Sequence, residues 1–323
     1  MKLNEIASKL KSDILSKRVK TALIFSHHRP DGDTVGSATS LALALEKLGV
    51  KTKIVCHNEL PSKFLFLKGI EKYHLPHQIT EKFDVYISVD CSVEYMFGSA
   101  YSLFEKALYT INIDHHISNS RYAKYNFVEE VGACCEHLYD FIKYLGVEID
   151  ENIANSLLLG IVTDTGNFGH SNCRSVTLKS AYELVSLGAN LQEIIRQMYK
   201  NQSIQRAKLY TMVISNMRYL LDGKLLVVIT TQKDLKETGA DESMTEGFID
   251  FPLSIDTCEV ALSILQTNQN TYKISFRSKG KVNVNEIASI YGGGGHILAS
   301  GALLNGHIED IIDKLSYNVK QRL

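Results

Sequence analysis

Short apolar runs alternate with helical patterns along the first half of the chain. The runs at 21–26, 51–56, 84–90 and 110–114 are brief and rich in β-branched residues, which is typical of strands. Between the first two runs lies TVGSATSLALALEKLG, where apolar residues recur at helical spacing and Gly49 provides a stop signal. Because longer connections separate the runs, this alternation predicts a parallel sheet covered by helices on both faces.

The second half of the chain changes its pattern twice. From about 175 to 218 the pattern is helical, whereas β-rich segments such as KLLVVIT, EVALSILQT and TYKISFRS dominate from 222 onward. We therefore expect an α/β protein in three parts. These are a parallel-sheet amino-terminal domain over 1–190, a helical connector over 191–221 and a smaller α/β carboxyl-terminal domain over 222–323.

Composition and charge narrow the range of functions. The 323 residues carry 35 lysines and arginines against 36 acids, a net charge of -1, which argues against charge-driven coating of long nucleic acids. The six cysteines form no C-x-x-C pair, so free thiols in a reducing compartment are expected. No stretch approaches the roughly 20 apolar residues of a membrane span, and the amino terminus lacks the apolar segment of a signal peptide. These features predict a cytoplasmic protein that does not bind membranes.

Acids and histidines gather where the predicted elements end. Because ligands of open parallel sheets bind beyond the carboxyl ends of the strands, we expect these side chains at one rim. Carboxylates combined with imidazoles suit manganese, iron, zinc or cobalt. Two such ions about 3.5–4 Å apart can clamp a phosphate for in-line attack. The residues concerned are His27, Asp31, Asp33, Asp90, Asp114, His115, His116 and Asp164.

At these positions the sequence resembles a known family. H-x-x-P-D-x-D at 27–33, VDCS around Asp90, DHH at 114–116 and TDTGNF at 163–168 resemble, in order, the four motifs of the DHH phosphoesterases. GGGGH at 292–296, followed by ASGA, is similar to the signature of the DHH-associated carboxyl-terminal domain. The length and the two-domain layout resemble the nanoRNase and pAp-phosphatase branch. Members of that branch trim very short oligonucleotides and remove the 3′-phosphate of adenosine 3′,5′-bisphosphate (pAp).

The resemblance implies a role for each matching residue of the first domain. Two divalent metal ions, expected to be manganese, would be bound, with Asp90 bridging them and taking part in catalysis. His116 would act beside the scissile phosphate, and Asp114 would fix the tautomer of a ligand histidine. The ligands implied are His27 and Asp31 for one ion, Asp33, His115 and Asp164 for the other, and Asp90 for both.

A run of glycines and one arginine mark the expected binding residues of the second domain. Glycines let the backbone approach a ligand closely, consecutive amides can bind an anion, and an arginine fork suits phosphate. Without the resemblance, a four-glycine run is more often a flexible turn than a site. The resemblance implies that this domain holds the phosphate end of a nucleotide, and the residues expected to do so are Arg277, Ser278, Gly293, Gly294, Gly295 and His296.

One segment departs from the family pattern. GACCEHLYD places Cys134 and Cys135 where the family usually has a Ser/Thr pair before a glutamate. If the usual hydroxyls support the site, this replacement affects specificity and introduces sensitivity to oxidation. Buried, inert thiols are the commoner alternative.

The function expected from the resemblance is hydrolysis of short oligonucleotides to mononucleotides, together with removal of the 3′-phosphate of pAp. The resemblance implies substrates of about two to five nucleotides, including linear dinucleotides, and the near-neutral charge, which offers no basic track for a long strand, is consistent with this. A homodimer is left open. Two alternatives stand beside this expectation, a non-catalytic nucleotide-binding regulator and a RecJ-like single-strand exonuclease. The complete set of expected ligands disfavours the first, and the short chain disfavours the second.

Overall fold

The polypeptide folds as two units, Met1–Asn201 and Gln202–Leu323, in a computed structural model that describes residues 1–323. The boundary between the units falls inside the segment 191–221, which the sequence predicts as a connector. None of the helices has both the length and the apolar content that crossing a membrane requires.

The first unit contains six strands and seven α-helices. The strands are β1 (Thr21–Phe25), β2 (Lys51–Val55), β3 (Tyr73–His74), β4 (Val85–Val89), β5 (Thr110–Asp114) and β6 (Tyr125–Val128). The helices are α1 (Leu3–Leu15), α2 (Gly32–Lys47), α3 (Tyr101–Phe104), α4 (Cys134–Leu145), α5 (Glu151–Asp164), α6 (Ser175–Ser186) and α7 (Leu191–Ile195). Short 3-10 turns and one π-helical turn complete the unit, at Ser62–Phe64, Ile70–Lys72, Pro76–Gln78, Glu94–Ala100 and Arg196–Lys200.

The six strands of the first unit form one parallel sheet, as the alternating pattern predicts. Its order is β3-β2-β1-β4-β5-β6, and every pair of neighbours is parallel. The chain therefore moves outward from β1 in one direction, returns, and moves outward again from β4. This places a topological switch point between β1 and β4, where open α/β sheets bind their ligands at the carboxyl ends of the strands.

The two faces of this sheet are covered differently. Ile24 and Ile87 point into a core built with apolar side chains of α1, α2, α4 and α5. Phe25 points to the opposite face, because successive strand residues alternate. There it contacts Phe97 and Phe104, with ring centroids 5.3 and 5.1 Å away. Long helices thus cover one face, whereas the 3-10 turn Glu94–Ala100 and the short helix α3 cover the other.

The second unit contains a mixed sheet. Its strands are β7 (Arg218–Leu220), β8 (Leu225–Thr230), β9 (Val260–Asn268), β10 (Thr271–Ser278), β11 (Gly294–His296) and β12 (Ala299–Asn305). Its helices are α8 (Ile204–Ser215), α9 (Gln232–Thr238), α10 (Asp250–Ser254), α11 (Val284–Ile290) and α12 (Ile308–Lys320), with a 3-10 turn at Glu242–Thr245. The strand order is β11-β12-β10-β9-β8-β7, and only β8 and β9 run parallel.

Strand β10 shows how the second unit separates its two faces. Ile274 and Phe276 are fully buried in a core that includes residues of α11 and α12. The alternate residues Lys273, Ser275 and Arg277 are exposed or only partly buried. The strand therefore presents polar side chains on the face opposite that core.

Candidate metal centre

Helices α2 and α5 approach closely because glycines lie at their contact. A Cβ atom on Gly32 would stand 2.3 Å from Thr163 Oγ1, and one on Gly36 would stand 2.2 Å from the carbonyl oxygen of Ser156. No larger residue fits these positions without a shift of the backbone. The contact brings the amino terminus of α2 against the carboxyl end of α5, where Asp164 lies.

Two acids at the start of α2 are held by helix amino termini. Asp31 caps α2 itself, and its Oδ1 accepts hydrogen bonds from the amides of Asp33 and Thr34 at 3.1 and 3.0 Å. Asp33 is buried, and its carboxylate accepts hydrogen bonds from the amides of Cys134 and Cys135 at 2.6 and 3.0 Å. These amides begin α4, so the helix dipole favours the negative charge of Asp33.

His27, Asp31 and Asp90 form one group of possible metal ligands. His27 Nε2 lies 3.5 Å from Asp31 Oδ1 and 3.6 Å from Asp90 Oδ2. His27 Nδ1 lies 2.8 Å from the carbonyl oxygen of His28. A proton on Nδ1 satisfies that carbonyl and leaves the Nε2 lone pair directed at the carboxylates, as in many metal-binding histidines.

Asp33, His115 and Asp164 form a second group. His115 Nε2 lies 3.8 Å from Asp33 Oδ2, 3.8 Å from Asp164 Oδ2 and 3.3 Å from Asp90 Oδ1. Its Nδ1 lies 3.2 Å from the carbonyl oxygen of Val131, which repeats the arrangement at His27. The structure thus collects all six predicted ligands into two groups that meet at Asp90.

Asp90 is the most constrained residue of the site. It directly follows β4, has a positive φ of 56° and is only 2 % exposed. Positive φ is uncommon for residues other than glycine and costs free energy. Its Oδ1 is buried and accepts no hydrogen bond of good geometry, although His115 Nε2 lies 3.3 Å away. A buried carboxylate oxygen without a well-formed hydrogen bond is unfavourable unless a ligand compensates it, so this site fits a divalent cation.

The pKa shifts of the acids and histidines also indicate a cation site. Burial lowers the pKa of His27, but contact with Asp31 and Asp90 outweighs burial and raises it to about 11. Burial raises the pKa of Asp164 to about 7, with the charges of Asp90 and Asp31 adding to this effect. Burial and the charges of neighbouring acids also hold the pKa of Asp33 well above its usual range. Four acids so close together, of which Asp33 and Asp90 are buried, favour protons or cations as counter-charges.

His116 lies beside the two groups and is held by Asp114. Its Nδ1 lies 2.8 Å from Asp114 Oδ1 and 3.7 Å from Asp90 Oδ1. Asp114 Oδ2 in turn accepts a hydrogen bond of 2.6 Å from Asn119. Asp114 therefore contacts His116 rather than His27 or His115, whose Nδ1 atoms face backbone carbonyls.

Sequence reasoning did not identify two asparagines that support the site. Asn119 anchors Asp114, and Asn172 donates hydrogen bonds to the carbonyl oxygens of Gly132 at 2.9 Å and Asp164 at 3.2 Å. Asn172 thereby ties the loop before α4 to the end of α5. Both asparagines lie in loops, where no periodic pattern distinguishes a residue that supports the site from one that forms a turn.

Five of the six predicted residues of the second unit lie on β10 and β11, the two strands on either side of β12, and Gly293 directly precedes β11. Arg277 on β10 pairs with Ala299 on β12, which pairs with His296 on β11. Directly paired residues project to the same face of a sheet, so Arg277 and His296 share one face. His296 is exposed and Arg277 is partly buried. Ser278 is buried, and its hydroxyl accepts a hydrogen bond of 3.0 Å from the amide of Gly280.

The last two glycines of the run begin the edge strand β11, and Gly293 directly precedes it. A Cβ atom on Gly293 would stand 2.1 Å from the carbonyl oxygen of Gly301, and one on Gly295 would stand 2.5 Å from that of Ala299. Gly295 also has a positive φ of 148°. The close approach to the backbone of β12 therefore requires glycine at both positions, whereas Gly294, which pairs with Gly301, is exposed.

Comparisons with known proteins match both units. Residues 21–161 match the amino-terminal domain of the DHH family, and residues 222–321 match the DHHA1 domain. The bifunctional oligoribonuclease and PAP phosphatase NrnA of Thermus thermophilus is 32 % identical over 92 % of this chain and 88 % of its own length. The protein of that name from Mycoplasma genitalium is 30 % identical over 94 % of this chain and 96 % of its own length.

Other relatives and solved structures extend the comparison. A probable manganese-dependent inorganic pyrophosphatase of Streptococcus agalactiae is 25 % identical over 78 % of this chain and 88 % of its own. An exopolyphosphatase-related protein from Bacteroides fragilis has the same fold, with a TM-score of 0.89, 24 % identity and coverage of 97 % of this chain and 96 % of that one. RecJ from Thermus thermophilus, solved with Mn²⁺, has a TM-score of 0.59 at 14 % identity, covering 99 % of this chain and 55 % of its own.

Proposed function

The chain belongs to the DHH family of phosphoesterases, and we propose that it hydrolyses phosphate esters of short oligonucleotides and of pAp, with divalent cations bound at Asp90. One observation carries the proposal. Asp90 turns Oδ2 toward His27 and Oδ1 toward His115, so it stands between two groups of acids and histidines at the switch point of the parallel sheet. The names of the relatives, oligoribonuclease and PAP phosphatase, supply the substrate class.

We propose two bound cations, both Mn²⁺. His27 and Asp31 would hold one, Asp33, His115 and Asp164 the other, and Asp90 would bridge them, because its two oxygens face different groups. Divalent cations in such a site neutralise charge on phosphate oxygens and lower the pKa of water. The mixture of imidazole and carboxylate ligands favours manganese over magnesium or calcium. The manganese in the pyrophosphatase relative supports the same choice.

His116 acts next to the cations in this proposal. Burial lowers its pKa, but the hydrogen bond to Asp114 outweighs burial and raises it. Asp114 fixes the ring through Nδ1, which leaves Nε2 for an oxygen of the substrate. A protonated imidazole at that position donates a proton to the leaving oxygen or stabilises charge on the phosphate.

The second unit contributes substrate binding in this proposal. Arg277 and His296 share one face of its sheet, where a guanidinium fork and an imidazole can contact a phosphate group remote from the scissile bond. Gly293 and Gly295, which lie close to the backbone of β12, have no side chains, so the backbone at this edge stays uncovered. Arg277 and His296 would therefore affect substrate affinity more than the chemical step.

Product release from a substrate panel tests the proposed function. The purified protein with Mn²⁺ is given pAp, pApA, pGpG, a five-nucleotide RNA and a strand of about 20 nucleotides, at equal concentrations of ends. Chromatography should show mononucleotides or AMP from the short substrates, at rates much higher than for the long strand. Equal or faster degradation of the long strand would instead indicate a RecJ-like exonuclease. Binding without product release would indicate a nucleotide-binding regulator.

A further inference from the structure

A cavity of about 350 Å³ opens in the first unit, and none of its lining residues belongs to the two groups of predicted metal ligands. Pockets that bind small ligands have volumes of about 300–1,000 Å³, so this cavity can hold part of a nucleotide. Its polar lining residues are His57, His77, Ser99 and Ser102, all of them exposed. The hydroxyl group of Ser99 lies 2.8 Å from His57 Nδ1, and that of Ser102 donates to the carbonyl oxygen of Ser99 at 3.3 Å.

The remaining lining is apolar. Leu75, Pro76 and Leu103 contribute it, and no lysine, arginine, aspartate or glutamate lines the cavity. A site without a charged group is poorly suited to a phosphate, which needs charge-assisted hydrogen bonds. The combination of apolar surface, flat imidazole rings and hydroxyl groups suits an uncharged, planar ligand with polar edges.

The cavity lies at the same edge of the sheet as Asp90. His57 follows β2, Leu75 follows β3, and Ser99 lies in the turn that follows β4. The segment after His27 is hydrogen-bonded to two of these loops, the one that follows β2 and the one that follows β4. The amide of His28 donates to the carbonyl oxygen of Met96 at 2.6 Å, and the amide of Arg29 donates to Asn58 Oδ1 at 3.1 Å. The residues beside the cavity are thus directly connected to the loop that carries a predicted metal ligand.

The imidazole of His57 is held in place by its neighbours. Gly98 has a positive φ of 53°, and a Cβ atom there would lie 2.7 Å from His57 Cγ. The amide of Ser99 donates a hydrogen bond of 3.2 Å to His57 Nδ1. This contact assigns the ring proton of the neutral tautomer to Nε2, which is left as a donor.

We propose that this cavity is a nucleobase subsite for a nucleotide whose phosphate lies at Asp90, an inference that rests on the proposed function. Bases of single-stranded nucleic acids stack on aromatic rings, including histidine, and hydrogen-bond along their edges. His57 and His77 supply the rings, the hydroxyl oxygens of Ser99 and Ser102 can accept hydrogen bonds from an amino group of the base, and the leucines cover the apolar base faces. The subsite gives this enzyme affinity for the nucleoside itself, beyond its phosphate.

Two variants and a base-free substrate test the subsite. His57→Ala removes one ring, and Ser102→Phe fills the cavity from an exposed position on α3. The steady-state constants are measured with Mn²⁺ for pApA and for its abasic analogue, a phosphodiester in which hydrogen replaces both nucleobases. Both variants should raise KM for pApA at least about fivefold, because stacking contributes about 1 kcal/mol or more per base. The constants for the base-free diester should not change.

Leu108→Phe is the matched control for the added aromatic ring. Leu108 is 89 % exposed and precedes β5, at the opposite edge of the sheet, so this variant should behave as the wild type with both substrates. An unchanged KM for pApA in both cavity variants would overturn the subsite. An equal rise of KM for the base-free diester would overturn it too, because the damage would then lie at the scissile phosphate.

Binding of adenosine without metal separates the subsite from the proposed hydrolysis. Saturation-transfer NMR should detect adenosine on the wild-type protein and on Leu108→Phe, but not on Ser102→Phe. If adenosine binds in this way while no nucleotide is hydrolysed, the proposed function fails and the base-binding cavity stands. If adenosine binds equally to Ser102→Phe, the cavity is not its site.

Discussion

The carboxylate of Asp33 accepts a hydrogen bond of 2.6 Å from the backbone amide of Cys134, although 101 positions separate the two residues. The side chain of Cys134 takes no part in this contact, and its thiol instead donates to the carbonyl oxygen of Ile113. Burial and the nearby acids raise the pKa of this thiol far above its usual range, so it stays protonated. Replacement of a usual hydroxyl by a thiol therefore leaves the support of Asp33 intact.

Removing the amide donor of residue 134 should weaken metal binding. Cys134 is the first residue of α4 and follows Ala133, whose extended backbone is compatible with a succeeding proline. Proline is well tolerated at the first position of a helix, so Cys134→Pro removes the donor without breaking α4. A lost charge-assisted hydrogen bond costs about 1.5–3 kcal/mol. We expect Mn²⁺ affinity, measured by calorimetry, to fall at least tenfold.

Cys134→Ser is the control for this substitution. Serine keeps the backbone donor and restores a hydroxyl group, so Mn²⁺ affinity and activity should stay close to those of the wild type. Equal losses in the serine and proline variants would show that the thiol, and not the amide, supports Asp33.

The sequence could indicate the acids and histidines of the site but not the backbone groups that orient the histidines. His27, Asp90 and Asp164 stand out because each ends an apolar strand or helix, and parallel strands bring such ends to one edge. The groups that orient the histidines are the carbonyl oxygens of His28 and Val131. Every residue has a carbonyl, so nothing in the sequence distinguishes these two.

Asp90→Asn keeps the size of the side chain but removes its charge, and so tests whether Asp90 is a ligand of both cations. In Asp90→Asn one oxygen is replaced by an amide nitrogen, which cannot bind a cation, and the negative charge is lost. We expect fewer bound Mn²⁺ ions per chain, measured by elemental analysis, and loss of nearly all turnover of pApA. Asp140→Asn, on an exposed position of α4, should keep both. Near-normal turnover of Asp90→Asn would exclude a mechanism that depends on two cations.

Fold prediction succeeded where strands are apolar and failed where they are short or rich in glycine. The runs at 21–26 and 110–114 correspond to β1 and β5, which lie in the middle of the sheet and are buried. Strands β3, with two residues, and β11, made of Gly294–His296, have no alternating pattern, because neighbouring strands stabilise them rather than their own side chains. The strand order β3-β2-β1-β4-β5-β6 likewise depends on contacts between distant segments.

Substitution of Arg277 should affect binding more than chemistry. Arg277 lies in the second unit, and its proposed phosphate contact is charge-assisted, so Arg277→Ala should cost about 1.5–3 kcal/mol, or roughly one to two decades in KM for pApA. Arg277→Lys keeps the charge but loses the planar fork and should fall between the wild type and the alanine variant. Lys233→Ala, an exposed cation of α9, serves as the control. Unchanged kinetics of Arg277→Ala on every nucleotide substrate would contradict the proposed phosphate contact.

Metal removal should lower the thermal stability of the protein, and the effect should depend on Asp90. The crowded acids of the first unit repel one another, and a cation that binds only the folded state stabilises it by mass action. At a concentration of 100 times Kd one cation contributes about 2.7 kcal/mol, and 1 kcal/mol shifts the midpoint of a domain this large by about 2–4 °C. We therefore expect saturating Mn²⁺ to raise the unfolding midpoint by about 5–10 °C over protein treated with EDTA, measured by calorimetry. Asp140→Asn should show the same rise, whereas Asp90→Asn should lose most of it. An identical midpoint with and without Mn²⁺ in the wild type would mean that these residues do not form a cation site.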